Sequence, residues 1–301
     1  MIFQKFTYEA LDYVVNKIEP FNEQNREIIR EQLLQPGLEP ESNCFFANDE
    51  HTDELMACVL MSREDLIHRV VLDFWFVKDL TSDKSNVTKR QILELMIQRC
   101  LDQLVDDKGF VVHCCLHDLN YSSVFEDLGF ELNRTYWKMN RSSSILTDLE
   151  LQKGFYVKDA SKDSVETLTA LQNDSFTGSW GFCPNTSDQI EYKLLGSHTG
   201  YKNVIFLCNE MDTVGYCWTY IYQDGDRLTG AISMIGVSSN YRGKGISRGL
   251  LNHGLDKLQS MGCDSVFLEV DSNNIPAISI YKSSGFEKTE EMYWYELLIK
   301  D

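Results

Sequence analysis

The sequence has no uninterrupted apolar run of the roughly 18 residues that a membrane-spanning helix needs. Its nine cysteines include no C-x-x-C pair, so neither a zinc knuckle nor a disulfide framework is indicated, and no metal site is expected. Basic residues are also few, because 28 Lys and Arg stand against 46 Asp and Glu, for a net charge of −18. This charge argues against nucleic acid and acidic membranes as partners, since both bind basic surfaces. It is compatible with a cationic substrate such as an amine, and equally with mere solubility.

The chain is long enough for two domains, with 301 residues of which 43% are apolar. It begins MIFQKFTYEALDYVV, which has acidic residues at once and lacks a basic-then-apolar signal pattern. A cytoplasmic location is therefore expected, with the cysteine thiols reduced and mostly buried. The sequence does not specify the oligomeric state, and a homodimer stays open.

Two stretches of the sequence resemble each other and indicate an internal repeat. Each has an aromatic residue, a Gly-Phe pair and a Tyr-Trp pair at similar spacing: Phe125, Gly129–Phe130 and Tyr136–Trp137, then Tyr281, Gly285–Phe286 and Tyr293–Trp294. In both copies an amphipathic helix pattern and a strand-like apolar run come before the aromatic residue. The pattern predicts two copies of one α/β unit, at residues 1–148 and 149–301. They are joined near a polar stretch from Asn140 to Gly154.

A glycine-rich basic turn follows a predicted strand in the second copy. The strand runs from Thr229 to Val237, and Gly236 within it suggests a bulge or a close backbone approach. The turn RGKGIS then leads directly into a helix pattern, so backbone N–H groups and the helix dipole converge on one point. Arg242, Lys244 and Arg248 add positive charge there. The turn therefore predicts a phosphate site, although a plain strand-to-helix turn is the alternative. It is neither a Walker loop nor a Rossmann turn, because its glycine spacing differs from both.

Together with a downstream segment, this turn resembles the GNAT superfamily of N-acetyltransferases over roughly residues 155–301. The acetyl-CoA motif R-x-x-G-x-[GA] is matched at Arg242, Gly245 and Ser247, with serine in place of glycine or alanine. The second motif is matched by LEVDSNNIPAISIYKSSGF, at Asn274, Ala277, Tyr281, Gly285 and Phe286. The resemblance implies an α/β fold of two tandem GNAT-like domains, each a mixed, mostly antiparallel sheet flanked by helices.

The resemblance implies acetyl-CoA as the cofactor, with its pyrophosphate on the turn and its pantetheine arm beside the preceding strand. The residues expected to bind it are Ile235, Val237, Arg242, Gly243, Lys244, Gly245, Ile246, Ser247, Asn274, Ala277 and Tyr281. Tyr281 matches the family tyrosine that protonates the departing thiolate, and the N–H of Val237 is the expected oxyanion donor.

An acid is expected to receive the ammonium form of the substrate. Some family members place one on the strand before the turn, but this strand has none. Asp271, at the end of the next strand, is the first candidate, and Glu269 on the same face is the weaker one. A strand end or helix N-cap is the alternative reading of Asp271.

The acceptor end is expected in the segment from Asn173 to Tyr192, which is rich in aromatic and small polar residues. Asn173, Phe176, Trp180 and Phe182 are the candidate substrate-binding residues. A tryptophan packed in the domain core is the alternative for Trp180.

The first copy is predicted to be catalytically inactive. Phe125 replaces the tyrosine, Asp118 the asparagine and Tyr121 the alanine, and the turn from Val77 to Arg90 has no glycine. Binding of coenzyme A at the helix start near Thr88 stays open.

The sequence thus predicts an N-acetyltransferase that acts on a primary amine of a small molecule, with an amino sugar such as glucosamine as the favoured acceptor. Among tandem members it resembles the glucosamine N-acetyltransferases and, less closely, the mycothiol synthases. A protein or peptide N-acetyltransferase and a non-catalytic acyl-CoA sensor are the alternatives.

Overall fold

A computed structural model describes residues 1–18, 29–77, 88–142, 149–196, 200–224 and 227–300. They form two compact units: unit 1 is Met1–Tyr136 with Glu291–Asp301, and unit 2 is Trp137–Glu290. The predicted division of the sequence at 148/149 stays a prediction, because residues 143–148 lie outside the described residues.

Unit 1 contains a mixed sheet with helices. Its strands are β1 (Ile2–Lys5), β2 (Cys44–Asn48), β3 (Leu55–Glu64), β4 (Arg69–Phe76) and β5 (Val111–Leu116). Its helices are α1 (Leu11–Lys17), α2 (Pro40–Asn43), α3 (Lys89–Gln103) and α4 (Ser122–Asp127). Neighbouring strands pair antiparallel except β4 and β5, which are parallel. Residues 293–298 of the last strand of the chain pair antiparallel with β5.

Unit 2 repeats this arrangement. After β6 (Glu131–Ser142), its strands are β7 (Tyr156–Asp159), β8 (Val204–Cys208), β9 (Thr213–Asp224), β10 (Arg227–Val237) and β11 (Ser265–Asp271). The last strand of the chain, β12 (Glu287–Leu298), begins in unit 2 and belongs to unit 1 from Glu291 onward. Its helices are α5 (Val165–Phe176), α6 (Ser187–Leu195), α7 (Ser247–Ser260) and α8 (Ile275–Ser283). The strand order is β6–β11–β10–β9–β8–β7, with β10 and β11 parallel. The predicted fold class is confirmed, because the strands of each unit pair in a mixed, mostly antiparallel pattern and are accompanied by helices.

The sheet of unit 2 has a core on each face. On β11, Val266, Leu268 and Val270 pack in one cluster with Leu251 and Leu255 of α7. The opposite cluster joins α5 and α6 to the other face of β8 and β9. Phe267, Glu269 and Asp271 alternate with the buried valines and leucine, so they lie on the face of β11 away from α7.

The described residues include no helix that is both long and apolar enough to cross a membrane. None of the nine cysteines, all of which lie among the described residues, forms a disulfide bond.

Unit 1 holds a partly buried carboxylate that gives its stability a pH dependence. Gln32 Nε2 donates to Asp73 Oδ2 at 2.8 Å, and burial raises the pKa of Asp73 to about 6 despite this bond. A folded-state pKa above the unfolded value of 3.8 means that the folded protein holds the proton more tightly. The carboxylate therefore costs stability progressively as the pH rises from about 4 to about 6.

We expect Asp73→Asn to stabilise unit 1 at pH 7.5 and to have little effect at pH 4, because the amide keeps the acceptor without the charge. Urea unfolding of the variant and the wild type across this range measures the difference. The exposed Asp106, replaced by asparagine, is the matched control. A difference that does not grow between pH 4 and 6 contradicts the assignment.

Candidate active site

Strands β10 and β11 separate partway along their length. Their parallel pairing runs from Thr229↔Ser265 to Ile232↔Leu268 and ends there. β10 nevertheless stays paired with β9 as far as Val237↔Gly215, with a bulge between Ile232 and Met234. The separation leaves an opening within unit 2, and its β10 edge carries Ile235 and Val237, the residues predicted to lie beside the pantetheine arm.

At Gly236 the close approach suggested by the sequence is present, and the bulge lies earlier in the strand. A Cβ atom at this position would lie 2.7 Å from Ser175 Cβ and 2.8 Å from Tyr216 Cε1. Glycine is therefore required for α5 to pack against β10.

The glycine turn has the conformation that an anion cradle needs. Gly243 and Gly245 have φ values of +73° and +75°, which side chains disfavour. A Cβ atom at Gly245 would lie 3.0 Å from Gln152 Nε2, so a side chain there would displace the Gln152 amide. Gln152 Nε2 also donates to Lys244 O at 2.6 Å, which fixes the turn. The turn then leads into α7, whose N-cap residue Ile246 is 3% exposed.

The N-terminus of α7 has no side-chain cap, in contrast to the matching helix of unit 1. Ile246 makes no side-chain hydrogen bond to the first turn of α7, which begins at Ser247. At α3, Thr88 and Gln91 form a reciprocal capping box. Orphan N–H groups at a helix start bind anions, so α7 offers them to a phosphate whereas α3 satisfies part of its own set.

The basic side chains at the turn have different partners. Arg242 donates to Ser175 O of α5, so it ties the turn to the fold. Lys244 Nζ lies 4.3 Å from the centroid of the Tyr241 ring, and Arg248 donates to Ser283 Oγ of α8 at 2.7 Å. Lys244 and Arg248 are exposed, so both can supply positive charge to a phosphate.

Tyr281 lies on α8 and is 8% exposed. Its ring packs edge-on against Phe286 at 6.0 Å between centroids. Burial, and to a smaller extent the nearby Cys217, raises the pKa of the Tyr281 phenol above its usual value. The hydroxyl is therefore protonated at neutral pH, as a proton donor must be. Asn274 caps the same helix by accepting from Ala277 N at 3.3 Å.

Asp271 lies at the end of β11, and its side chain takes part in the turn into α8. Its Oδ1 accepts from Asn273 N at 2.8 Å, which forms an Asx turn. Glu269, two residues earlier, is exposed on the same face of β11. The carboxylate of Asp271 thus has a structural bond and also stands on the face where the acceptor is expected.

Two substitutions of Asp271 separate these roles. Asn keeps the acceptor for the Asx turn and removes the charge, whereas Ala removes both. If Asp271 meets the ammonium, both variants lose about 10- to 10³-fold in kcat/KM for the amine, because an ion pair is worth about 1–4 kcal/mol. Most of the loss is expected in the KM for the amine. Full activity of Asp271→Asn together with a less stable Asp271→Ala would show that Asp271 only stabilises the turn. Glu269→Gln tests the weaker candidate in the same assay.

The candidate acceptor residues lie at the end of α5 and in the loop after it. Asn173 Nδ2 donates to Asn185 O at 2.9 Å and its Oδ1 accepts from Asn185 N at 3.0 Å, so both ends of this amide hold the loop. Phe176 and Phe182 pack together at 5.5 Å between ring centroids. Trp180 is half-buried. The loop is thus an ordered aromatic segment, and Asn173 acts in its structure.

Sequence reasoning missed Asp174, which connects α5 to the residues that follow β10. Its two oxygens accept from Ser239 N at 2.9 Å and from Ser239 Oγ at 2.8 Å. The bond from the Ser239 backbone is the main cause that lowers the pKa of Asp174. The position beside Asn173 in the sequence carried no signal for this bond, because its partner lies 65 residues away.

In unit 1 the predicted substitutions of motif residues lie at the expected places. Phe125 is fully buried on α4 and packs against Phe130 and Tyr295. Asp118 Oδ1 accepts from Asn120 N, before α4. Tyr121 is half-buried. Most of the turn from Val77 to Arg90 lies outside the described residues.

Comparison with known proteins finds similarity to one protein family over part of the chain. Residues 165–286 match the family model described as Acetyltransferase (GNAT) family. N-alpha-acetyltransferase 30 of Saccharomyces cerevisiae is 39% identical over 71 residues, which are 24% of this chain and 40% of that protein. Mycothiol acetyltransferase of Saccharopolyspora erythraea is 28% identical over 167 residues, or 54% of each chain. The chain therefore spans about half or less of the length of these curated relatives.

Solved structures extend the likeness in fold to the whole chain. A tandem GNAT protein from the clavulanic acid biosynthesis pathway covers 100% of this chain, and 99% of its own, with a TM-score of 0.71 and 8% identity. A second neighbour is a GCN5-related glucosamine N-acetyltransferase region of a fungal multi-domain β-N-acetylglucosaminidase. The match covers 98% of this chain and 38% of that chain, with a TM-score of 0.70 and 12% identity. Residues 165–286 thus resemble the GNAT family in sequence, and the chain as a whole resembles a tandem GNAT protein in fold.

Proposed function

We propose that this chain is an acetyl-CoA-dependent N-acetyltransferase that acts on a primary amine of a small molecule, with unit 2 as its catalytic unit. The observation that carries the proposal is the opening between β10 and β11, which stands beside the uncapped start of α7 and its two glycines at positive φ. The family match and the acetyltransferase names of the relatives support the same reaction.

Acetyl-CoA fits the residues present. A Cβ atom at Gly245 would occupy the space over the turn, and the backbone N–H groups at the start of α7 suit a pyrophosphate. Ile235 and Val237 would hold the pantetheine arm with backbone groups, and Lys244 and Arg248 would add charge. When bound, acetyl-CoA supplies the acetyl thioester and a thiolate leaving group.

The side chains of unit 2 then have separate roles in the transfer. The N–H of Val237 stabilises negative charge on the carbonyl oxygen as the amine nitrogen attacks the carbonyl carbon. The Tyr281 hydroxyl gives its proton to the departing thiolate. The nitrogen loses one proton to water as the amide forms, and Tyr281 regains a proton from water. The Asp271 carboxylate binds the ammonium form of the substrate and passes the ammonium proton to water, so the amine is neutral when it reacts.

Unit 1 is proposed to bind no acetyl-CoA productively. Phe125 has no hydroxyl at the position of Tyr281, and the capping box of Thr88 and Gln91 occupies N–H groups that a phosphate would need. The role proposed for unit 1 is therefore structural and not catalytic.

For the acceptor we propose an amine that carries polar groups, with an amino sugar such as glucosamine as the leading example. The glucosamine N-acetyltransferase region among the structural neighbours supports only the fold that such an enzyme uses. The mycothiol acetyltransferases among the relatives make another small-molecule amine the first competitor, and N-alpha-acetyltransferase 30 makes a peptide the second.

Thiol release from acetyl-CoA across a panel of amines tests this function. The panel contains glucosamine, polyamines, amino acids and peptides, and the protein is the full chain. We expect amine-dependent thiol release and a preference for a small polar amine. A preference for peptides contradicts the acceptor class, and no release with any amine contradicts the enzyme and favours a non-catalytic acyl-CoA sensor.

A further inference from the structure

Four polar side-chain atoms on α5 and β9 of unit 2 are buried without a hydrogen-bond partner among the described residues. They are Gln172 Oε1 and Ser175 Oγ on α5, and Tyr216 Oη and Trp218 Nε1 on β9. The four residues are 2%, 7%, 0% and 2% exposed. Buried polar atoms nearly always have hydrogen-bond partners. Four unpaired atoms in one region therefore indicate that a ligand group binds there.

All four side chains lie around one short segment of β10. Gln172 Nε2 donates to Met234 Sδ at 3.0 Å, and Trp218 is the register partner of Met234. Tyr216 is the register partner of Gly236, and Ser175 approaches the same glycine. This segment begins two residues after the last pair of β10 with β11, beside the opening proposed to hold the thioester.

The chemistry of the four atoms defines what they can bind. Trp218 Nε1 only donates, Gln172 Oε1 only accepts, and the hydroxyls of Ser175 and Tyr216 do both. Burial raises the pKa of Tyr216 well above its usual value, so its hydroxyl stays neutral. The ligand group must therefore be uncharged and must both donate and accept hydrogen bonds, as a hydroxyl group does.

We propose that this set, the α5–β9 polar cluster of Gln172, Ser175, Tyr216 and Trp218, recognises hydroxyl groups that flank the amine of the acceptor. The inference rests on the proposed function and narrows its substrate class to hydroxylated amines. An alkyl amine of the same size leaves the four atoms unpaired, and sites built for hydroxyl groups discriminate strongly against such analogues. The selectivity comes from neutral hydrogen bonds, separately from any charge on Asp271.

The first test compares glucosamine with cyclohexylamine as acceptors. The wild type is expected to prefer glucosamine by about 10² or more in kcat/KM. Tyr216→Phe and Gln172→Met each remove one polar group with little change in volume, and each is expected to reduce the preference about tenfold. Thr219→Val is the matched control, because the Thr219 hydroxyl is buried but already donates to Asn203 O at 2.9 Å. It is expected to leave the preference unchanged.

The second test needs no activity. Removal of an unpaired buried hydroxyl relieves a desolvation cost, whereas removal of a paired one loses a bond. Tyr216→Phe is therefore expected to keep or raise the Tm, and Thr219→Val to lower it by a few degrees.

The outcomes separate the inference from the proposed function. Acetylation of cyclohexylamine as efficient as that of glucosamine overturns the inference and leaves the acetyltransferase intact. A lower Tm of Tyr216→Phe with an unchanged preference shows that the cluster holds internal water, which also overturns it. If no amine is acetylated, the proposed function fails, and calorimetric binding of glucosamine decides the inference: saturable binding that Tyr216→Phe weakens supports it, and no binding overturns it.

Discussion

Replacement of Tyr281 by phenylalanine is expected to lower kcat by about 10- to 10⁴-fold. Loss of a general acid typically costs about 10²- to 10⁴-fold, and the lower limit here allows for a smaller effect. The phenol is 8% exposed and its pKa is raised by burial, so it carries its proton wherever the enzyme is active. Its removal leaves the thiolate to depart without a proton. Binding of acetyl-CoA depends on the glycine turn and is expected to change little, so the loss appears in kcat with nearly unchanged KM for acetyl-CoA.

The control for Tyr281→Phe is the same change at Tyr295 of unit 1. This side chain is 2% exposed, and its hydroxyl donates to Glu126 Oε1 at 3.3 Å. Tyr295→Phe is expected to leave kcat unchanged. Phe125→Tyr is expected to give no gain in activity, although it places a hydroxyl in a fully buried site and so is expected to destabilise unit 1. Equal losses from Tyr281→Phe and Tyr295→Phe would contradict a catalytic role of Tyr281.

Replacement of Gly245 by valine is expected to remove detectable binding of acetyl-CoA. The β-branched side chain would enter the space over the turn, where a Cβ atom already comes within 3.0 Å of Gln152 Nε2. Loss of two N–H bonds to a charged phosphate, at about 1.5–3 kcal/mol each, weakens binding about 10²- to 10⁴-fold. Isothermal titration calorimetry with acetyl-CoA measures the change.

Backbone strain is controlled by the same substitution at Gly262. This glycine has a φ of +89° after the other end of α7, so valine there meets comparable strain away from the turn. Gly262→Val is expected to lower stability and keep the affinity for acetyl-CoA. Wild-type affinity in Gly245→Val would place the cofactor elsewhere.

The local motifs were predictable because they depend on near neighbours in the sequence. The strand before the turn, the helix after it and the need for glycine at 243 and 245 follow from residue type and spacing, and the structure has β10, α7 and two positive φ values there. The fold class was predictable because the family motifs and the repeat agree.

Contacts between distant residues were not predictable. Asp174 binds Ser239, and Arg242, which the motif assigns to the phosphate, binds Ser175 O, because α5 packs beside the turn in three dimensions. Asn173, which is predicted to bind the substrate, also holds Asn185 with both ends of its amide, and this contact has no signal in the sequence. The sequence repeat also did not reveal that residues 291–301 belong to unit 1. None of these contacts between distant residues follows from the helix or strand periodicity of the sequence.

Hydrogen–deuterium exchange of the full chain with and without acetyl-CoA tests the central claim most directly. Bound cofactor is expected to protect the amides from Ile235 to Gly249, which span the end of β10, the turn and the first turn of α7. Peptides around Thr88 and Gln91 in unit 1 are expected to exchange at the same rate in both samples. Protection confined to unit 1, or none between Ile235 and Gly249 at saturating acetyl-CoA, would contradict the account.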